Sequence, residues 1–256
     1  MADTSTGQFV WYELLAANPA AAIGFYTEVV GWGTQPFRDG YTFWKGTQGP
    51  LGGTMQLPRR EADLGFGPHW MACVQVANVD ASAERARELG GRCHVDPGDI
   101  PEVGRYAVIL DPQGAPLALF HPQTSMTAHD RSKPGEFAWN ELSTTDQGAA
   151  FRFHSSLFGW ERLFEHDLGA MGTYLVFGQG SVRYGGMFAL PKDAPMRPAW
   201  MYYVHVDDLD GDLRRATAKG ARVLNGPMQV PGGERIAQLA DPQGALFALH
   251  EAAKRG

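Results

Sequence analysis

Along "FVWYELLA" the alternation has the two-residue period of a strand, placing Phe9, Trp11, Glu13 and Leu15 on one face. The period then changes to that of a helix. Asn18 is placed to cap it, Pro19 opens it, Ile23, Tyr26 and Val30 share a side, and Gly31 closes it. Glycine-punctuated β segments follow, "YTFWKG" and "LGGTMQL", before a fresh strand "WMACVQV". A second helix is expected to start near Asp80 and stop at "LGG", and two further strands are joined through "DPQG", where Pro and Gly suit a tight reversal.

The second half repeats this order. "FVWYELL" (9–15) matches "FAWNELS" (137–143), and "GFYTEVVGW" (24–32) matches "RFHSSLFGW" (152–160), both 128 residues apart. The offset becomes 133 where "LGGTM" (51–55) meets "YGGMF" (184–188), which a longer hairpin in the second copy accommodates. It settles at 130 for "PHWMACVQVANVD" (68–80) against "PAWMYYVHVDDLD" (198–210), and for "ILDPQGAPLAL" (109–119) against "LADPQGALFAL" (239–249). Asp146 can cap the helix that matches the first, with Gly159 ending it, and the last helix is expected to start near Asp210. The polar stretch "TSMTAHDRSKPG", 124–135, reads as a linker between domains 1–123 and 136–256. Four βαβββ modules result, two per copy, an α+β arrangement.

Composition narrows the partners. With 256 residues and 44% hydrophobic letters the chain can bury two ordinary cores. A net charge of -6 without a Lys/Arg cluster argues against nucleic acid or an anionic membrane surface. No apolar run approaches the ~20 residues of a membrane span, and "MADTSTGQ" lacks the charged start and apolar segment of a secretory signal, so a cytoplasmic location is expected. Cys73 and Cys93 are too few for a disulfide framework or a four-thiolate zinc site. The expected partner is a small hydrophobic or aromatic molecule, bound by a monomer or homodimer.

The element order, with "FYTEVVGW" after the first strand and "DPQG" before the last in each copy, resembles the vicinal oxygen chelate superfamily of glyoxalases, bleomycin-resistance proteins and extradiol dioxygenases. The resemblance spans about residues 8–122 and 136–251. It implies tandem duplicated glyoxalase-like domains whose curved mixed sheets cup cavities, often with a divalent metal. The family's ligand places align with Trp11, Gly53 or Thr54, Met71 and Ala118, and with Trp139, Gly186 or Met187, Met201 and Ala248. Neither set offers the imidazole or carboxylate such an ion requires, so no metal cofactor is expected.

Strand alternation relative to those places assigns the cavity faces. Trp11, Glu13, His69, Met71, Cys73, Gln75 and Phe120 fall there in the first copy; Trp139, Glu141, Ser143, Met201, Tyr203, His205 and His250 fall there in the second. An aromatic, Met-lined wall with few polar groups suits a flat apolar ligand. Glu141, His250, His205 and Tyr203 are the candidate catalytic groups; Trp11, Glu13, His69, Met71, Phe120, Trp139, Ser143 and Met201 are the candidate substrate contacts. Arg105 and Arg235 are candidate anion anchors or plain surface residues. Three functions are compatible: a metal-independent enzyme using acid–base chemistry on an aromatic or polyketide-like substrate, a resistance-type protein sequestering an aromatic metabolite or antibiotic, and a metal-dependent lyase or dioxygenase with displaced ligands.

Overall fold

A computed structural model describes residues 6–63, 65–169, 172–194 and 196–253. Its first half runs β1 (Phe9–Ala16), α1 (Pro19–Val29), β2 (Gly33–Pro36), β3 (Thr42–Gly46), β4 (Gly49–Gln56), a short α2 (Arg59–Asp63), β5 (His69–Gln75), α3 (Val79–Glu88), β6 (Arg92–Ile100), β7 (Gly104–Leu110) and β8 (Pro116–Pro122). The second half runs β9 (Phe137–Thr144), α4 (Gln147–Phe158), β10 (Glu161–Asp167), β11 (Thr173–Gln179), β12 (Val182–Ala189), β13 (Ala199–His205), α5 (Leu209–Ala218), β14 (Arg222–Gln229), β15 (Arg235–Ala240) and β16 (Leu246–Glu251). The expected βαβββ order therefore occurs four times.

Each half contributes one eight-stranded mixed sheet, ordered β2-β3-β4-β1-β5-β8-β7-β6 and β10-β11-β12-β9-β13-β16-β15-β14. Within each module the first and last strands are parallel neighbours, and the remaining strands pair antiparallel. Parallel pairing requires a crossover, which α1 supplies after β1.

The helix ends follow local chemistry. Asn18 accepts from the Ala21 amide and Asp146 from the Ala149 amide, while Gly159 closes α4 in the left-handed conformation at φ 71°. The buried face of α1 is Ala22, Phe25, Tyr26 and Val29, so Ile23 and Val30 stand one step off the stripe expected for them. Likewise α3 and α5 are capped by Asn78 and Asp208, two residues before the expected Asp80 and Asp210. Those aspartates instead sit in the first helical turn, where a negative charge complements the helix dipole.

Compact packing groups modules that are not consecutive. Among the described residues, one unit gathers those up to Val10 and those within Met71–Ala128 and Asn140–Trp200; the other gathers those within Trp11–Trp70 and His129–Trp139 and those of 201–253. In the first unit, Trp160 stacks on Phe9, His154 and Phe177, and its indole donates to the Gly7 carbonyl at 2.7 Å. The second unit is centred on Tyr26, Trp32, Trp44 and Trp70, with the Trp32 indole donating to the Gly135 carbonyl at 2.7 Å. That unit also takes in residues 129–135, the later part of the 124–135 stretch, and bonds hold them to it. Gln48 donates to the Asp130 carbonyl at 3.1 Å and accepts from its amide at 3.0 Å, and His129 bonds the buried Glu136 carboxylate at 2.8 Å.

Candidate functional site

The first strand of each half carries a glutamate that alternation turns away from the helix side. On β1, Tyr12, Leu14 and Ala16 are buried while Trp11 and Glu13 retain partial exposure; on β9, Asn140, Leu142 and Thr144 are buried while Trp139 and Glu141 do. Glu13 pairs in register with Gly53, and Glu141 with Gly186. Each glycine leaves room for a tyrosine to lie across it, Tyr41 from just before β3 and Tyr174 from β11. A Cβ on Gly53 would run into the ring and hydroxyl of Tyr41, and a Cβ on Gly186 would do the same to Tyr174. Through these gaps Tyr41 donates to Glu13 at 2.6 Å and Tyr174 donates to Glu141 at 2.8 Å.

The Glu13 cluster has a third member. The Trp11 indole donates to both Glu13 Oε1 at 3.0 Å and the Tyr41 hydroxyl at 2.8 Å. Although Glu13 as a residue is only half-buried, its carboxyl end is enclosed. Burial pushes its pKa up, and the bonds from Tyr41 and Trp11, which favour the ionised form, offset part of that rise. Aromatic rings flank this carboxyl. Phe43 meets Trp11 edge-on at 5.7 Å and Tyr41 at 5.5 Å, and the 41%-exposed Phe37 lies 4.7 Å from Phe43. A carboxyl whose pKa burial raises, set beside a phenol and within partly exposed rings, can exchange a proton with a flat ligand.

Tyr41 and Tyr174 are absent from the candidates drawn from strand alternation, since neither lies on the strand of its glutamate. The signal was present in the repeat: both tyrosines obey the 133-residue offset that relates Gly53 to Gly186.

The imidazole candidates form a separate cluster. His205 on β13 pairs in register with His250 on β16, their Nδ1 atoms 3.2 Å apart, so one ring donates to the other. Burial, then the neighbouring His250, lowers the His205 pKa, while Glu234 lies 3.4 Å from His250 Nε2. Tyr203 accepts a 2.7 Å bond from Gln238. Glu141 and His250 thus each have a named partner of their own, Tyr174 and Glu234. The other candidates are more apolar in setting. Met71, Cys73 and Phe120 are buried, Met201 and Trp139 are partly exposed, Ser143 donates to the Ala199 carbonyl at 3.2 Å, and His69 Nδ1 donates to the Gly67 carbonyl at 2.8 Å. Arg105 is clamped by Asp80 and Asp99, and Arg235 by Asp210 and Glu251, so their charges are neutralised in ion pairs.

Among the described residues no three His, Cys, Asp or Glu side chains are grouped to hold a metal ion. The places that the resemblance aligns with ligands hold Trp11, Gly53 or Thr54, Met71 and Ala118, and Trp139, Gly186 or Met187, Met201 and Ala248, none of which offers an imidazole or carboxylate to a hard or borderline divalent ion. No described helix is long and apolar enough to cross a membrane.

Comparison with known proteins gives this geometry its context. CFP32 of Mycobacterium tuberculosis, named as a glyoxylase, is 29% identical over 243 residues, covering 93% of this chain and 92% of its own. The anthracycline biosynthesis protein DnrV of Streptomyces peucetius is 31% identical over 269 residues, covering 98% of this chain and 95% of its own. Among solved structures, the Mn(II)-bound glyoxalase from Novosphingobium aromaticivorans matches the fold with a TM-score of 0.67 at 13% identity, over 98% of this chain and 83% of that one. The model of the glyoxalase/bleomycin resistance protein/dioxygenase superfamily matches residues 8–119 and again 136–249, so the chain belongs to that superfamily, with its domain present twice.

Proposed function

We propose that the chain is a metal-independent enzyme of this superfamily that moves a proton on a planar, carbonyl-bearing aromatic substrate of the polyketide type. The observation that carries the reading is the Glu13–Tyr41–Trp11 cluster, a desolvated carboxyl bonded to a phenol and an indole beside partly exposed aromatic rings. In this mechanism the ionised Glu13 takes a proton from a carbon next to the substrate carbonyl, and Tyr41 donates to the enolate oxygen that forms. Returning the proton at another position completes an isomerisation or primes a ring closure. Trp11 and Phe43 hold the substrate plane. The similarity to an anthracycline biosynthesis protein over almost the whole chain supports the substrate class.

A second reading, sequestration of an aromatic metabolite, draws on one feature: the Glu–Tyr–Gly arrangement recurs at Glu141, Tyr174 and Gly186, and two similar sites suit a bivalent binder. Hydrogen–deuterium exchange separates the two. In D2O, NMR of an anthracyclinone bearing a β-keto ester should show protein-catalysed exchange at the carbon between its carbonyls, lost in Glu13→Gln. Tight binding of two ligands per chain without exchange would replace the enzyme by the binder. Elemental analysis finding about one metal per chain, with chelator-sensitive exchange, would overturn metal independence.

A further inference from the structure

The repeat puts unlike residues at one buried place in the two halves: Tyr26 on α1 and His154 on α4, 128 positions apart. Tyr26 is fully buried in the second unit, donating to Asp241 Oδ2 at 3.1 Å and accepting from the Trp70 indole at 2.8 Å. The other carboxyl oxygen of Asp241 accepts from the Gln243 and Ala245 amides, closing the "DPQG" turn. The hydroxyl thus ties helix, strand and turn together.

In the first unit the surrounding groups recur. Trp200 matches Trp70, and Asp111 matches Asp241, with Oδ1 accepting from the Gln113 and Ala115 amides in the same manner. His154 is fully buried, its ring 5.5 Å from that of Trp200 and within electrostatic reach of Asp111. Three buried polar atoms here have no protein partner: His154 Nε2, Asp111 Oδ2 and Trp200 Nε1.

Hydrogen-bond chemistry says what satisfies them. His154 Nδ1 lies 2.8 Å from the Ala150 carbonyl, which can only accept, so Nδ1 carries the proton and Nε2 of the neutral ring is an acceptor. Asp111 Oδ2 is an acceptor too, and the Trp200 indole is a donor. The three need one molecule that donates twice and accepts once. We propose that a single water is built into the first unit at this place, accepting from Trp200 Nε1 and donating to His154 Nε2 and Asp111 Oδ2, the role the Tyr26 hydroxyl performs in the second. The dimensions agree. A tyrosine hydroxyl lies roughly 2 Å further from Cβ than a histidine Nε2, so the shorter imidazole stops short of the place the hydroxyl fills and leaves its Nε2 facing that place. Buried waters in general make about three such bonds to groups otherwise unsatisfied. A doubly protonated His154 reaching Asp111 directly would strand the Trp200 N–H, and burial opposes that charge.

A crystal structure of the whole chain, at a resolution showing ordered solvent, tests this. One peak within about 2.7–3.2 Å of all three atoms is expected. In His154→Tyr the new hydroxyl should occupy that peak, expel the water and raise Tm; the converse Tyr26→His should create a matching peak beside Asp241 and Trp70. No peak in the wild type, or a direct His154 Nε2–Asp111 contact, overturns the proposal, as does a peak that persists unmoved in His154→Tyr. Should that variant fail to fold, the wild type and Tyr26→His decide the matter by themselves.

Discussion

Glu13→Gln should make the protein more stable near neutral pH while abolishing proton transfer. Because burial raises the Glu13 pKa above the ordinary 4.5, the folded chain holds this proton more tightly than the unfolded chain does. Its contribution is therefore fully present below 4.5 and is lost as pH rises through the folded-state value. Glutamine keeps an acceptor oxygen for Tyr41 and Trp11 but carries no charge, so this loss should vanish. Tyr41→Phe acts in the opposite sense on the ionised group. Removing the 2.6 Å bond from the phenol withdraws about 1.5–3 kcal/mol from the carboxylate form, lowering its ionisation constant roughly tenfold to a hundredfold. Urea unfolding across a pH series, with 13C NMR of the Glu13 carboxyl, measures both effects. The reasoning fails if Glu13→Gln is no more stable than the wild type at neutral pH, or if Tyr41→Phe shifts the Glu13 titration downward. A gain in stability coupled to lost turnover is what a strained working group gives, whereas a purely structural carboxylate would lose stability on the same change.

Trp11→Ala should weaken binding of planar polycyclic ligands by about 1–3 kcal/mol in fluorescence titrations, and unchanged affinity would move the ligand away from this indole. Gly186→Ala should push the Tyr174 ring off Glu141, and a structure of the variant with the 2.8 Å bond intact would refute the need for glycine at that position. Burial lowers the His154 pKa with the Asp111 charge opposing it, so stability should decline as pH falls through the ordinary histidine value of 6.5; a pH series on His154→Tyr should lack that decline, and an identical acid limb in both proteins would dismiss the assignment.

What the sequence determined by itself is the part decided within a few residues. The period of two in "FVWYELLA", the Asn18 and Asp146 caps, the left-handed Gly159 and the aspartates of the two "DPQG" turns are local choices, and the internal repeat showed that they recur in order. From these came the βαβββ modules, the duplicated domain and the two glutamates facing away from the helix side. Helix starts were misread by two residues at Asp80 and Asp210 because an acidic residue serves equally as a cap or in the first turn, and only the backbone angles of Asn78 and Asp208 distinguish the two. Tertiary structure decided which groups meet. Tyr41 reaches Glu13 across a separation of 28 positions because Gly53 has no side chain in the way, and Arg105 directs its charge to Asp80 rather than to a ligand because β7 passes the start of α3. The grouping of non-consecutive modules into compact units was likewise invisible to alternation, which tells that a face is apolar but not which other face covers it. Contacts between distant segments depend on shape and on the residue opposite, and a period read along one strand contains neither.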